Sequence, residues 1–347
     1  MTGQSRGGVD PEGVDPAPFD PAPFELGPAL LFCPADRPDR FEKAALRADA
    51  VILDLEDAVA PENLDAARTA IRQHPLHPPL TIVRINARGT AAAAADIEML
   101  LHTDYRLVMV PKAESAPALD ALAGFGVIAL CETAAGVLAA SELARHPLTV
   151  ALMWGAEDLV ASLGGTSSRR ADGRYRDVAR HARSTVLLAA AAHGCAAIDA
   201  VHLDLTDSDI VVSDIAAPDS AASDITAPSI LASDAPASDA PASDAPASDS
   251  AASDSAASDS AASGSLVEEA TDAAACGFGA VACIHPGQVA AIRAAYRPAA
   301  DEVMRARELL AAATGGVFRH GGRMIDGPVL AHARAVLRRA DAGARPK

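Results

Sequence analysis

Short apolar runs alternate with Ala-rich amphipathic stretches along most of the chain. The runs predict strands at Ala29–Cys33, Ala50–Leu53, Leu80–Ile85, Leu107–Val110, Val127–Leu130, Thr149–Met153, Ala200–Leu203 and Ala280–Ile284. Most are apolar at successive positions, the pattern of a parallel strand covered on both faces. Between most of them lie stretches with helical patterning, among them Arg40–Arg47, Pro61–Gln73, Ala116–Ala123, Ala135–Ala144 and Arg176–His193. Eight strands with intervening helices over roughly 250 residues predict an α/β fold, a (β/α)8 TIM barrel. A doubly wound open sheet is the competitor. No Gly-x-Gly-x-x-Gly turn follows the first strand, which weakens a dinucleotide-binding version of it.

Two stretches break the pattern. Residues 1–25 repeat Val-Asp-Pro and Pro-Ala-Pro-Phe units and predict a disordered N-terminal tail without the apolar core of a signal peptide. Residues 208–263 run Ala-Ser-Asp-Ala-Pro and then Ala-Ser-Asp-Ser-Ala with a period of five. Small polar residues, Pro and unpaired Asp bury too little apolar area to offset chain entropy, so this insert is expected to be disordered. It follows the seventh predicted strand and should leave the barrel on the catalytic face. The barrel is then 26–207 plus 264–298, and 299–347 forms a C-terminal helical extension. Pro298-Ala299-Ala300-Asp301-Glu302 opens a helix running to about Ala313, and a final basic helix covers Val329–Arg339.

Composition changes this picture little. Half of the residues are hydrophobic but only 3% are aromatic, so Ala, Val and Leu must build the core. Net charge is −17, yet ten Asp and no Lys or Arg fall within 208–263, leaving −7 for the rest. That balance argues against non-specific nucleic-acid binding, which needs a basic face. No run reaches the ~18 apolar residues of a membrane span, and the cytoplasm is the expected location. The five cysteines follow neither zinc nor disulfide spacing and read as buried free thiols.

The candidate chemistry gathers at predicted strand ends, which a barrel brings to one rim. Glu132 and Asp158 follow the fifth and sixth strands and could hold a magnesium ion, which favours one or two carboxylates completed by water and substrate oxygens. Both could instead cap helices. Arg84 ends the third strand; its planar fork suits a carboxylate or an enolate oxygen, or an internal ion pair with Asp54 or Glu56. Asp57 should lie on the opposite face or in the loop. Arg37, Arg40 and Lys43, after the first strand, could hold phosphates or form a self-paired loop with Asp36, Asp39 and Glu42. His285 closes the eighth strand and reads as structural more readily than as a base. Asp326 reads as a helix N-cap.

Eight segments in order together resemble the citrate lyase β-subunit-like branch of the HpcH/HpaI aldolase family, the CoA ester lyases. They are Leu31–Phe41, Ala48–Val59, Val83–Asn86, Val110–Glu114, Glu132–Val137, Gly155–Leu159, Ile284–Val289 and Met324–Asp326. The resemblance implies a magnesium-dependent barrel, a homotrimer or hexamer, whose members cleave or form a C–C bond beside a CoA thioester. It implies Glu132 and Asp158 as metal ligands and Arg84 as the group holding substrate oxygens. Asp54, Glu56 and Asp57 would support them. Arg37, Arg40 and Lys43 would bind CoA. Asp326 would be an acid/base that can come from an adjacent subunit. The expected reaction is lysis of a malyl-CoA or citramalyl-CoA type 3-hydroxyacyl-CoA to acetyl-CoA and a 2-oxo acid. A thioesterase of the same acyl-CoA class and a citrate lyase β subunit needing a carrier protein are the alternatives. Ala35 stands where many relatives have Gly, and the acidic insert matches nothing in the family pattern.

Overall fold

The computed structural model describes residues 24–203, 266–313 and 315–343. The predicted insert 208–263 and the tail up to residue 23 lie outside them. Eight parallel strands close into a barrel in sequence order: β1 Ala29–Pro34, β2 Ala50–Asp54, β3 Thr81–Arg84, β4 Leu107–Val110, β5 Gly126–Cys131, β6 Thr149–Trp154, β7 Ala196–Asp199 and β8 Ala280–Cys283. Closure comes from β1 against β8, with Leu30 opposite Ala282. Helices α1 Phe41–Arg47, α2 Leu64–Gln73, α3 Ala91–Leu101, α4 Ala134–Leu138, α5 Ala140–Arg145, α6 Ala156–Ser162, α7 Asp177–His193, α8 Leu266–Cys276 and α9 Gln288–Tyr296 connect or surround the strands.

Strand alternation sorts the side chains into two apolar cores. Leu30, Ile52, Ile82, Met109, Ile128, Leu130, Met153, Ile198 and Ala282 fill the interior of the barrel. Their neighbours, among them Leu31, Leu53, Val83, Val108, Ala129 and Leu152, face the helices. One step of two beyond the inner residues, toward the strands' C-terminal ends, come Asp54, Arg84 and Glu132. The polar rim is thus the next inner layer of the same alternation. Below, Phe24 and Leu26 pack against the interior cluster, so the predicted tail gives up Phe24 to the fold.

Four expectations need correction. Of the five cysteines expected to be buried, Cys276 is exposed and Cys195 only partly buried, while all five are free thiols. The seventh strand is Ala196–Asp199, not Ala200–Leu203. Gly194 ends α7 in the left-handed conformation (φ +75°), and the chain enters the sheet directly. The segment expected to be a helix at Ala116–Ala123 is a 3-10 helix, Ala116–Leu122, with Pro in its first turn. The stretch Ala135–Ala144 is two short helices meeting at Ala139. The extension contains α10 Ala300–Ala311, an antiparallel hairpin of β9 Phe318–His320 and β10 Arg323–Ile325, and α11 Gly327–Gly343. Ala306, Ala333 and Val336 join α10 to α11, and Arg339 Nη1 donates to Ala274 O at 3.2 Å, fastening α11 to α8.

The chain is fastened on both sides of segment 204–265. His202 Nδ1 lies 2.9 Å from Glu269 Oε2, and Gln288 Nε2 donates to His202 O at 2.7 Å. Arg169 pairs with the same glutamate and lies over the Tyr175 ring, 4.0 Å from its centroid. No helix among the described residues is long and apolar enough to cross a membrane.

Candidate active site

Arg84 is the hub of the rim. Its Nε and Nη2 donate to Asp54 Oδ1 and Oδ2 at 2.7 and 2.6 Å, a two-point fork between adjacent strands. Its Nη1 lies 3.2 Å from Glu56 Oε2 and 3.3 Å from Asp57 Oδ2. Asp57 is in the loop, as expected, and still reaches the guanidinium. Asp54 also accepts from the backbone N–H groups of Glu56 and Ala58, at 3.0 and 3.2 Å, which curls the loop around Arg84. Phe32 lies under the guanidinium with its centroid 4.8 Å away. Burial acts to strip Arg84 of its charge, but Asp54, then Glu56 and Asp57, outweigh it and raise its pKa above the ordinary arginine value. One layer outward, Asn86 Nδ2 donates to Leu55 O and to buried Asp96, at 3.0 and 2.8 Å, joining the ends of β2 and β3.

The second centre is Lys112, just past β4. Its Nζ lies 2.6 Å from Glu56 Oε1, 3.8 Å from Asp158 Oδ1 and 3.9 Å from Glu132 Oε1. Its backbone N–H donates to Glu132 Oε1 at 3.0 Å. Burial alone would lower its pKa; Glu56, Glu132 and Asp57 push it up to about 12. Glu132 is almost wholly buried, and burial, then the charges of Asp158 and Glu56, push its carboxyl up to about 8. Glu56 is raised as well, chiefly by burial, against the pull of Arg84 and Lys112. Room for Glu132 is made by Gly155, where an added Cβ would fall 2.9 Å from Glu132 Oε2 and 3.0 Å from its Cβ.

Neither Glu132 nor Asp158 is spent on a helix. Thr133 caps α4 by accepting from Gly136 N at 3.0 Å, and the residue before α6 is Gly155. The two carboxylates share one ammonium between them, and Glu132 is held above its ordinary value first by burial and then by the charges of Asp158 and Glu56. Glu56 Oε2 is a buried oxygen that meets no hydrogen-bond donor in good geometry, its partner being the charge of Arg84 Nη1 at 3.2 Å. This donor set fits a hard divalent cation completed by water and ligand oxygens. No group of three or more His, Cys, Asp or Glu side chains that could by itself hold a metal ion occurs among the described residues, so water and ligand oxygens would have to supply the remaining positions.

The other expected residues divide. Arg37 pairs with Asp39 at 3.2 Å, both half exposed. Arg40 and Lys43 have no ion-pair partner among the described residues and lie on the same segment after β1. His285 accepts from Gly287 N at 3.1 Å in a turn that Gln288 braces, a structural role. Cys131 is buried and its thiol is pushed up to about 12 by that burial, then by Glu132, so it is no nucleophile. Asp326 accepts from Val329 N at 3.3 Å at the start of α11, and none of its hydrogen bonds or ion pairs reaches Arg84, Lys112 or Glu132. Lys112 and Gly155 were not singled out in the sequence, although both fall within the matched segments.

Known proteins resemble this chain in sequence and fold. A family model described as HpcH/HpaI aldolase/citrate lyase matches residues 29–227, and one described as C–C bond lyase of the TIM-barrel fold matches 219–343. A citrate lyase subunit beta-like protein of Mycobacterium tuberculosis is 48% identical over 316 residues, covering 90% of this chain and 96% of the relative. A (3S)-malyl-CoA thioesterase of Cereibacter sphaeroides is 34% identical over 186 residues, 50% of this chain and 62% of the relative. Among solved structures, CitE from Mycobacterium tuberculosis in complex with magnesium, acetoacetate and coenzyme A superposes with a TM-score of 0.72 at 48% identity, covering 91% of this chain and 98% of that one.

Proposed function

The chain belongs to the HpcH/HpaI aldolase/citrate lyase family of carbon–carbon lyases, and from that premise we propose that it is a magnesium-dependent CoA ester lyase. Its substrate would be a 3-hydroxyacyl-CoA of the malyl or citramalyl type, cleaved reversibly to acetyl-CoA and a 2-oxo acid. The observation that carries the reading is the pair Glu132 and Asp158 around one cationic position, beside a buried guanidinium.

Glu132 and Asp158 would hold the cation, and Lys112 N–H fixes one oxygen of Glu132 for that purpose. When bound, magnesium supplies Lewis acidity to the hydroxyl and carboxylate oxygens that become the 2-oxo acid. Arg84 faces the other fragment. Asp54 occupies its Nε and Nη2, so Nη1, paired with Glu56 and half-exposed Asp57, is the donor that would be shared with a thioester oxygen. As the C–C bond breaks, its electron pair passes to the acetyl fragment and the hydroxyl proton leaves. Arg84 stabilises the enolate oxygen and a proton is returned to carbon. Asp326, which caps α11, is the proposed proton carrier, and the family resemblance suggests that it would act from a neighbouring copy. Arg40 and Lys43, with Arg37, would receive CoA phosphates.

A hydrolase is the second reading, favoured by the similarity to the malyl-CoA thioesterase. Incubating the purified chain with a panel of 3-hydroxyacyl-CoA esters, with and without magnesium, tests both. Acetyl-CoA plus glyoxylate or pyruvate, seen only with metal, is the expected outcome. Free malate or citramalate with free CoA points to hydrolysis, and an inert chain that gains activity with an acyl-carrier partner points to a citrate lyase subunit.

A further inference from the structure

The ammonium of Lys112 stands where carboxylates from three separate segments meet. It is 2.6 Å from Glu56, 3.8 Å from Asp158 and 3.9 Å from Glu132. This position is built into the backbone. Lys112 has φ +48°, the left-handed region, and no other non-Gly residue among those described does. Such strain persists only where the surroundings impose it. Behind the turn, α4 approaches so closely that a Cβ on Gly136 would come within 2.5 Å of Ala113 O. The same residue grips Glu132 with its backbone N–H and faces it with its ammonium.

We infer that Lys112 is a positioning residue that sets the metal affinity of this site, its ammonium competing with the divalent cation for Glu132 and Asp158. The inference rests on the metal assignment made above. Two cations that draw on the same two carboxylates stand within a few ångströms of each other, and their repulsion is large at protein dielectric. The ammonium therefore keeps the metal exchangeable and yields toward Glu56, its nearest partner, as the metal enters. Arg84 cannot take this part, because Asp54 fixes its fork on the far side of Glu56. If Lys112 served only to organise the carboxylates, its loss would loosen them and weaken metal binding. The two roles thus predict changes of opposite sign.

The experiment is titration of the full chain with Mn2+, read by calorimetry and by electron paramagnetic resonance, for the wild type, Lys112→Gln, Lys112→Gly, Lys112→Arg and Glu132→Gln. Circular dichroism establishes that each variant is folded. Lys112→Gly relieves the left-handed backbone and supplies a charge-free variant should Gln strain the turn. Both charge-free variants should bind Mn2+ more tightly, by at least about tenfold. Lys112→Arg, which keeps the charge, should stay within a few-fold of wild type. Glu132→Gln should lose affinity. Unchanged or weaker binding in Lys112→Gln and Lys112→Gly, with Glu132→Gln weakened, overturns the competition and leaves the metal assignment standing. Undiminished binding in Glu132→Gln overturns the metal assignment itself.

Discussion

Replacing Glu132 by Gln removes an ionisation that the fold resists. In the folded chain, burial and the neighbouring charges of Asp158 and Glu56 hold this carboxyl near 8, against an ordinary value of 4.5. The folded state therefore keeps a proton that the unfolded chain has released. Stability from this group is fully present below pH 4.5 and is lost as pH rises through about 8. At 1.36 kcal/mol per pH unit the loss is on the order of 3–5 kcal/mol. For a body of this size, about 2–4 °C of Tm per kcal/mol turns that into roughly 10 °C. Gln fits the same space beside Gly155 and stays neutral. Melting curves by calorimetry from pH 5 to pH 9, in chelator, should show a falling Tm in the wild type and a much shallower fall in Glu132→Gln. The residual slope belongs to Glu56, which is also raised. Magnesium at pH 8 should restore the wild type, releasing a proton as it binds, and leave the variant unmoved. Parallel decline of the two proteins across this range would refute the assigned ionisation.

Arg84→Lys keeps a charge beside Asp54 but loses the fork; turnover should fall a few hundred-fold, about 3–4 kcal/mol, while wild-type kcat/KM would remove Arg84 from the chemistry. Arg84→Ala should also lower Tm, because it leaves buried Asp54 without its guanidinium. Gly155→Ala places a methyl 2.9 Å from Glu132 Oε2; it should cost about 1–3 kcal/mol of stability and weaken Mn2+ binding, and normal binding would show that the gap serves nothing. Asp326→Asn and Glu132→Gln should each be inactive alone. Co-expressed or unfolded and refolded together, they should recover activity if Asp326 acts across copies, and mixtures that stay inert would place it elsewhere.

Much of this site was legible because barrel strands advertise themselves. Unbroken apolar runs located seven strands to within a residue or so, and the charged residues at or after the second, third, fifth and sixth runs became rim candidates. The Asp54–Arg84 pair followed from both residues ending adjacent strands. The seventh strand escaped because Ala196-Ala197-Ile198-Asp199 carries one large apolar residue, while Val201 and Leu203 just beyond look more strand-like. Asp199 was missed with it, although it binds Trp154 Nε1 at 2.6 Å and Arg183 from α7. Lys112 was invisible for another reason. A lysine after Pro111 gives no sign of a left-handed backbone that turns both its N–H and its ammonium onto one glutamate. Gly155 needed the register. Cys131 opposite Trp154 puts Glu132 beside Gly155 one step later, a pairing that no local pattern carries.

The bonds that hold His202 to Glu269 and Gln288 on either side of segment 204–265 bear on how such a chain changes over generations. The departure and return points are pinned to each other, and the charged groups around Arg84 and Lys112 come from the C-terminal ends of β2 to β6 and the residues just after them. Closure entropy between two fixed points grows slowly with chain length, by about 0.6 kcal/mol per doubling. Repeat expansion or contraction at this junction is therefore close to neutral for the catalytic rim. A change in the number of repeats would thus alter the chain's length and net charge while leaving the fastened ends in place.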